Sequence, residues 1–202
     1  MEITFTIIVL IFSVVVHEVS HGFVAEHLGD PTARLAGRLT LNPLKHLDPF
    51  GSIILPLLLS LLPGGVIFGW AKPVPYNPLN LKRPERDGAL IAAAGPTANL
   101  FIALVFGLAF RAMAVLPALG GALELLFAKI VIVNVMLAVF NLVPIPPLDG
   151  SKVLFWFLPP GAVKFREWFE RAGWLLLLLF IFFAIDLIVP VIRGLAGFLL
   201  GV

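Results

Sequence analysis

Two histidines and a glutamate in this sequence have the types and the spacing to bind and use a metal ion. The segment reads His17-Glu18-Val19-Ser20-His21, the pattern H-E-x-x-H, and lies within a long apolar run. An α-helix turns about 100° and rises about 1.5 Å per residue, so His17 and His21 would stand one turn apart on one face. Such a pair can bind one zinc ion, and Glu18 can reach a metal-bound water as general base. Ionisable residues in a lipid-embedded helix are costly, which argues against a chance match.

The composition indicates that this segment lies in a membrane. Of the 202 residues, 60% are hydrophobic and 13% are charged, whereas a soluble domain has about 25% charged residues. The apolar runs are long and continuous, which indicates spanning helices and not a β-barrel. The chain has no cysteine, which excludes thiolate ligands. Its net charge of +2, with most basic residues in loops, fits membrane topology better than nucleic-acid binding.

The sequence predicts a single integral-membrane domain over residues 1–202. The fold class is an α-helical polytopic membrane protein with about four to five transmembrane helices and a short membrane-associated re-entrant or β segment. The first predicted element is a helix over about 3–27. The region 31–88 follows, with a short strand at Arg38–Leu41 in a loop and then a re-entrant or spanning segment. After it come a helix over about 88–115 interrupted at Gly95-Pro96, a helix over about 122–143, an amphipathic interfacial helix over 159–172 and a last spanning helix over 174–192.

The stretch 49–69 decides the predicted topology. It is apolar but is broken by prolines and glycines, and the loops on either side, 28–48 and 70–88, carry three and four Lys or Arg residues. Short basic loops favour the cytoplasmic side of a membrane. We therefore expect 49–69 to dip into the membrane and return. The helix that ends near residue 143 would then reach the same membrane face as the H-E-x-x-H end of the first helix.

A catalytic zinc usually has three protein ligands and an open water position, so a third ligand is required. His27 would lie about 9 Å along the helix axis from His21, too far to share the ion. Val24 also stands where the metzincin pattern needs a glycine to break the helix. His46, in a loop, could line the site, cap a helix end or be solvated.

Asp149 is the favoured third ligand. It follows the proline-rich stretch that begins at Asn141, and prolines hold a chain extended so that a carboxylate can turn inward. Capping of a helix that starts near Ser151 is an equal alternative on the residues alone.

These motifs together resemble the site-2 protease family of intramembrane zinc metalloproteases, in its small subgroup without PDZ or CBS domains. The resemblance covers nearly the whole chain and rests on five stretches: His17–His21, Asn141–Gly150, Gly95-Pro96-Thr97-Ala98-Asn99, Gly29–Pro49 and Phe68–Pro75. It implies one Zn2+ per chain held by His17, His21 and Asp149. It also implies Glu18 as the general base and Asn141 as the residue that holds the substrate backbone or the oxyanion.

The resemblance further implies regulated intramembrane proteolysis of a transmembrane protein substrate. The substrate helix would have to unwind and add as a strand at an edge near Arg38–Leu41 or Val66–Pro75. We expect Asn134, seven residues before Asn141, to join helices, and Gly95 to permit close helix packing. The expected location is a prokaryotic cytoplasmic membrane, with the site toward the cytoplasm. The alternatives are a membrane zinc carrier and a non-catalytic protein that binds transmembrane helices.

Overall fold

The computed structural model describes residues 2–54, 58, 71–113 and 121–202. Its six main helices are α1 (Glu2–His27), α2 (Pro84–Met113), α3 (Ala122–Asn141), α4 (Asp149–Phe157), α5 (Val163–Phe183) and α6 (Val189–Leu200). Shorter turns are an α-helical turn at Thr32–Leu35, a π-helix at Pro49–Ile54 and 3-10 turns at Pro43–Lys45, Pro78–Asn80, Pro160–Ala162 and Ile185–Leu187.

The predicted class, a polytopic helical membrane protein, is confirmed. Three helices are long and apolar enough to cross a membrane, over Thr4–His27, Pro84–Met113 and Leu123–Asn141. Helices α5 and α6 form a fourth candidate span, bent by 69° at the break between them. The described part of the chain thus holds up to four spans, the lower end of the predicted number.

Helix α2 runs through Gly95-Pro96, so the predicted interruption there is wrong. A proline inside a helix removes one backbone hydrogen bond, and packing against neighbouring helices in a membrane compensates for it. Pro96 is fully buried. The helix also begins earlier than expected, at Pro84, and is described as far as Met113.

The boundary predicted between an interfacial helix over 159–172 and a spanning helix over 174–192 is also wrong. Helix α5 joins the amphipathic stretch and the first half of the apolar run without a break. The chain breaks instead at 184–188, where Pro190 stands in the first turn of α6, a position that suits its fixed backbone angle. The sequence is apolar on both sides of this break, so hydropathy does not predict where the helix ends.

The two ends of the α5–α6 pair lie at opposite ends of α2. At the start of α5, the guanidinium of Arg166 donates to the carboxylate of Glu85 at 2.6 Å. At the end of α6, Leu199 lies so close to Gly107 that a Cβ at Gly107 would meet it at 3.0–3.3 Å. The bent pair therefore covers the depth of the bundle, as a fourth span requires.

The short strand predicted at Arg38–Leu41 is wrong, since the described residues contain no strand. Arg38 is instead 6% exposed, and its guanidinium donates to the carbonyls of Lys72 at 2.6 Å and Pro73 at 3.3 Å. The alternating pattern thus reflects one buried arginine, whose guanidinium binds backbone carbonyls of a segment more than 30 positions away.

The predicted re-entrant stretch 49–69 lies largely outside the described residues. The residues that flank it are described: the backbone N–H of Lys72 donates to the carbonyl of His46 at 2.8 Å. The chain before this stretch and the chain after it therefore meet on the same side of the bundle.

Small buried residues let the spans approach closely. Ala103 of α2, Val131 and Val135 of α3 and Ala196 of α6 form one cluster. Small side chains at such contacts allow the backbones of membrane helices to pack tightly. Helix α2 packs against α1, α3, α4 and α6 and is the centre of the bundle.

Candidate metal centre

His17, His21 and Asp149 converge although Asp149 is 128 or more positions from the histidines in sequence. The Oδ2 atom of Asp149 lies 3.1 Å from Nε2 of His17 and 3.2 Å from Nε2 of His21. One ligand atom from each of the three residues falls within 4.8 Å of the others. Their side chains are 7%, 11% and 15% exposed, so water has limited access to the group.

The proline-rich loop after α3 brings Asp149 to the histidines. Its residues Val143 and Leu148 pack on Leu177 of α5. Gly150 lies directly against the carbonyl oxygens of Leu142 and Val143, and an added Cβ would collide with that backbone. Helix α4 begins at Asp149 itself, and the preceding Leu148 is its N-cap residue. The carboxylate thus faces the imidazoles, and the helix-capping alternative for Asp149 does not describe this geometry.

Both imidazoles are oriented by hydrogen bonds on their far side. Nδ1 of His21 donates to the backbone carbonyl of Ile91 at 2.6 Å, and Nδ1 of His17 contacts Oδ1 of Asn99 at 2.6 Å. Oxygens of this kind only accept, so Nδ1 of each ring carries a proton, and in the neutral ring the lone pair is on Nε2. Two lone pairs and a carboxylate oxygen then face one another and repel, and a bound cation would turn this repulsion into attraction. Two imidazoles and a carboxylate, with outer hydrogen bonds to the rings, form a donor set that fits zinc.

Helix α2 leaves room for this group at Gly95. A Cβ on Gly95 would lie 2.6 Å from Nε2 of both His17 and His21. The glycine therefore allows α2 to pass directly behind the two ring nitrogens, a more specific role than the helix packing expected from the sequence.

Glu18 and Asn141 line the same pocket as the three-residue group. This open pocket has a volume of about 600 Å³ and a mainly apolar wall. The Oε2 atom of Glu18 accepts a hydrogen bond from the backbone N–H of Val74 at 2.8 Å. The Nδ2 atom of Asn141 donates to the carbonyl of Leu137 at 2.9 Å.

The electrostatics of the group favour an ionised Asp149. Burial by itself would raise the pKa of its carboxyl, but the hydrogen bonds and charge attraction that doubly protonated rings of His17 and His21 would supply outweigh burial and lower that pKa. An ionised carboxylate is the form that binds a metal ion.

The two remaining histidines lie elsewhere. His27 is exposed at the end of α1 and is not part of the group. His46 is 2% exposed, and its Nε2 lies 2.9 Å from the carbonyl of Thr40, within the loop that precedes the stretch 49–69. Its role in the described structure is to hold that loop.

Sequence reasoning assigned no role to Asn99. This residue is fully buried, and its Nδ2 donates to Oδ1 of Asn134 at 2.8 Å. Asn134 therefore does join α2 to α3, as expected. The spacing of Asn99 from Gly95, one helical turn, was the signal that could have placed it beside the metal centre.

Comparison with known proteins gives matches over most of the chain. The profile of "Peptidase family M50" matches residues 5–119 and 112–180, and these segments contain both the H-E-x-x-H pattern and Asp149. "Putative zinc metalloprotease YwhC" of Bacillus subtilis is 40% identical over 179 residues, which cover 86% of this chain and 78% of that protein.

Other relatives match over shorter lengths. "Putative zinc metalloprotease Rip2" of Mycolicibacterium smegmatis is 36% identical over 150 residues, which cover 71% of this chain and 53% of that protein. "Putative zinc metalloprotease MJ0611" of Methanocaldococcus jannaschii is 42% identical over 73 residues, 36% of each chain. No solved structure matches the chain.

Proposed function

The chain belongs to peptidase family M50, and from this membership we propose that it cleaves peptide bonds within or near transmembrane segments of other membrane proteins, in regulated intramembrane proteolysis. The family match confirms the resemblance to site-2 proteases, and the chain is a zinc metallopeptidase of this family. One observation carries the proposal: two imidazole nitrogens and a carboxylate oxygen converge in a pocket between helices that are apolar enough to span a membrane. We assign His17, His21 and Asp149 as the zinc ligands.

Glu18 is the proposed general base. When bound, zinc supplies Lewis acidity toward the scissile carbonyl and lowers the pKa of a water to about 7. The Glu18 carboxylate takes a proton from the attacking water and passes it to the nitrogen of the leaving amine. The hydrogen bond from Val74 to Oε2 fixes the direction of this carboxylate. Val74 lies between two prolines, which have no N–H, so it carries the single backbone donor of Pro73–Pro75.

Asn141 is the proposed donor to the oxyanion. Its amide group has two N–H donors, and one of them serves the Leu137 carbonyl one turn earlier in α3. The second donor is available to a substrate oxygen in the pocket. A donor aimed at a developing oxyanion stabilises the transition state more than the ground state.

The pocket favours an extended substrate over a helix. A helix hydrogen-bonds its backbone internally and surrounds it with side chains to a width of about 10–12 Å. A peptide bond therefore reaches Glu18 and the three ligands in the pocket only when the segment that contains it unwinds. Addition of the substrate along Lys72–Val74 is not favoured, because Arg38, His46 and Glu18 already bind the N–H and carbonyl groups of that segment. Within the predicted edge Val66–Pro75, Lys72–Val74 therefore has few free groups for a substrate strand, and residues 66–70 lie outside the described residues.

We further propose that the protein resides in a prokaryotic cytoplasmic membrane with the metal centre toward the cytoplasm. The loop residues at this end of α1 and α2 include Arg34, Arg38, Lys72, Lys82 and Arg83. Basic residues in short loops are retained on the cytoplasmic side.

The test compares zinc content and cleavage of a transmembrane substrate for purified protein in detergent. Glu18→Gln is expected to keep about one zinc per chain and to lose turnover, and Asp149→Ala to lose the zinc. His27→Ala, at the exposed histidine outside the group, is the matched control and should keep both. Wild-type cleavage by Glu18→Gln would refute the base assignment. Zinc flux into proteoliposomes without cleavage would favour a carrier, and wild-type biological function of a cleavage-dead Glu18→Gln would favour a non-catalytic binding protein.

A further inference from the structure

Three buried polar residues form a connected group behind His17, on the side away from the metal pocket. They are Ser13 of α1, Asn99 of α2 and Asn134 of α3, which are 5%, 0% and 0% exposed. Nδ2 of Asn99 donates to Oδ1 of Asn134 at 2.8 Å and to the carbonyl of Ser13 at 3.3 Å. Nδ2 of Asn134 donates to the hydroxyl oxygen of Ser13 and to the carbonyl of Ile130, both at 2.9 Å.

The partners of these amides permit one orientation only. The Ile130 carbonyl can only accept, so the NH2 group of Asn134 must point toward it. The oxygen of Asn134 then faces Asn99, whose NH2 group must donate to it and to the Ser13 carbonyl. The oxygen of Asn99 is thereby turned toward His17, at 2.6 Å from Nδ1.

We propose that Asn99 is a positioning residue that fixes the His17 tautomer and ring orientation required for zinc binding, with Asn134 holding Asn99 in place. The inference rests on the assignment of His17 as a zinc ligand. Because Oδ1 of Asn99 accepts, Nδ1 of His17 must carry a proton, and in the neutral ring that binds a metal Nε2 presents its lone pair toward Asp149. An outer partner of this kind raises the basicity of a ligating histidine as well as orienting it.

The two histidines obtain the same constraint from different sources. His21 donates to the backbone carbonyl of Ile91, which no side-chain substitution removes. His17 depends on the side chain of Asn99. Substitution of Asn99 therefore removes the outer partner of a ligand without altering the ligand itself.

A purely structural role for Asn99, as a hydrogen-bonded contact between membrane helices, makes different predictions. Asn99→Leu removes the acceptor for His17 and both contacts to Ser13 and Asn134. Asn99→Asp keeps an acceptor for His17 but places a second acceptor against the oxygens of Ser13 and Asn134. The aspartate therefore preserves the positioning contact while damaging the helix contact, and the leucine loses both.

The experiment measures zinc affinity by competition with a chelator, and thermal unfolding of the zinc-free protein, in the same detergent. Asn99→Leu is expected to bind zinc about 10–100-fold more weakly than wild type, the range for loss of an outer partner of a ligand. Asn99→Asp is expected to bind zinc close to wild type although its zinc-free form is at least as destabilised as that of Asn99→Leu. Thr97→Ala, at an exposed position of α2, is the matched control for both measurements.

Asn134→Leu provides a second variant that does not touch His17. It leaves Asn99 with the 3.3 Å contact to Ser13, and a smaller loss of zinc affinity than in Asn99→Leu is expected. Wild-type affinity in folded Asn99→Leu, or equal losses in the aspartate and leucine variants, would overturn the positioning role while leaving the proposed function intact. If Asn99→Leu does not fold, wild-type affinity in Asn134→Leu overturns it. Absence of zinc from the wild-type protein would instead refute the proposed function itself.

Discussion

Substitution of Gly95 by alanine should separate zinc binding from folding. Gly95 lies in the middle of α2, where glycine costs a helix up to about 1 kcal/mol relative to alanine. An added methyl group would be 2.6 Å from the Nε2 atoms of His17 and His21. Ordinary contact between such atoms is about 3.5–4.0 Å, so each ring nitrogen must move by about 1 Å.

A movement of this size matters much more to the metal than to the fold. Metal–ligand distances tolerate deviations of about 0.2 Å, and here both histidine ligands are displaced together. We expect zinc affinity to fall by about 100-fold or more, the upper end of what loss of a single outer partner costs. In the zinc-free protein the rings can turn aside, and the gain in helix propensity of up to about 1 kcal/mol offsets part of the crowding cost of about 1–3 kcal/mol.

Gly88→Ala is the matched control on the same helix. A Cβ at Gly88 would meet the hydroxyl of Tyr76 at 3.8 Å, an ordinary contact, so neither folding nor zinc binding should suffer. The assay is chelator competition for zinc alongside thermal unfolding of the zinc-free protein. Wild-type zinc affinity in Gly95→Ala would show that His17 and His21 do not bind the zinc ion in this geometry, and the assignment of the metal centre would be refuted.

Three further predictions concern the segments around the centre. Gly150→Ala should weaken zinc binding and destabilise the protein by about 1–3 kcal/mol in thermal unfolding, because its Cβ would collide with the carbonyls of Leu142 and Val143. Arg38→Met should destabilise by about 1.5–3 kcal/mol, because it removes hydrogen bonds from a charged guanidinium to the carbonyls of Lys72 and Pro73; turnover should fall with zinc content unchanged, and exposed Lys82→Met is the control. Burial alone would raise the pKa of Asp30, but hydrogen bonds from Thr32, Asn80 and the Asn77 backbone lower it. Asp30 therefore stabilises the fold above its unfolded pKa of about 3.9 and loses that contribution as pH falls through its folded pKa; unfolding of Asp30→Asn should depend less on pH in that range.

The parts of the centre that depend on helix periodicity could be predicted from the sequence. His17 and His21 are neighbours on any α-helix, whatever the rest of the chain does. Asp149 is different, because no local rule relates it to α1; the residues left its capping role as an equal alternative. Only the resemblance to a known family favoured it, and the loop packing on Leu177 is what brings it to the histidines.

The failures of prediction arose where tertiary contacts outweigh local signals. Pro96 should interrupt a helix in isolation, yet α2 continues because its neighbours hold it on both sides. The alternation at Arg38–Leu41 suggested a strand, but its arginine binds two backbone carbonyls of a distant segment. The break at 184–188 lies in an apolar run, where hydropathy does not distinguish a continuous helix from a bent pair.

Helix α2 supplies no ligand and yet organises the centre through one stripe of its surface. Ile91, Gly95 and Asn99 are spaced by four residues, so they lie on nearly the same face. The first binds His21, the third binds His17, and the glycine between them makes room for both rings. Because the residue number rises along α2 as it falls along α1, the two helices run antiparallel. Of the three positions only Asn99 acts through a polar side chain. Ile91 acts through its backbone carbonyl and Gly95 through the absence of a Cβ, and neither property is visible as a polar residue in the sequence.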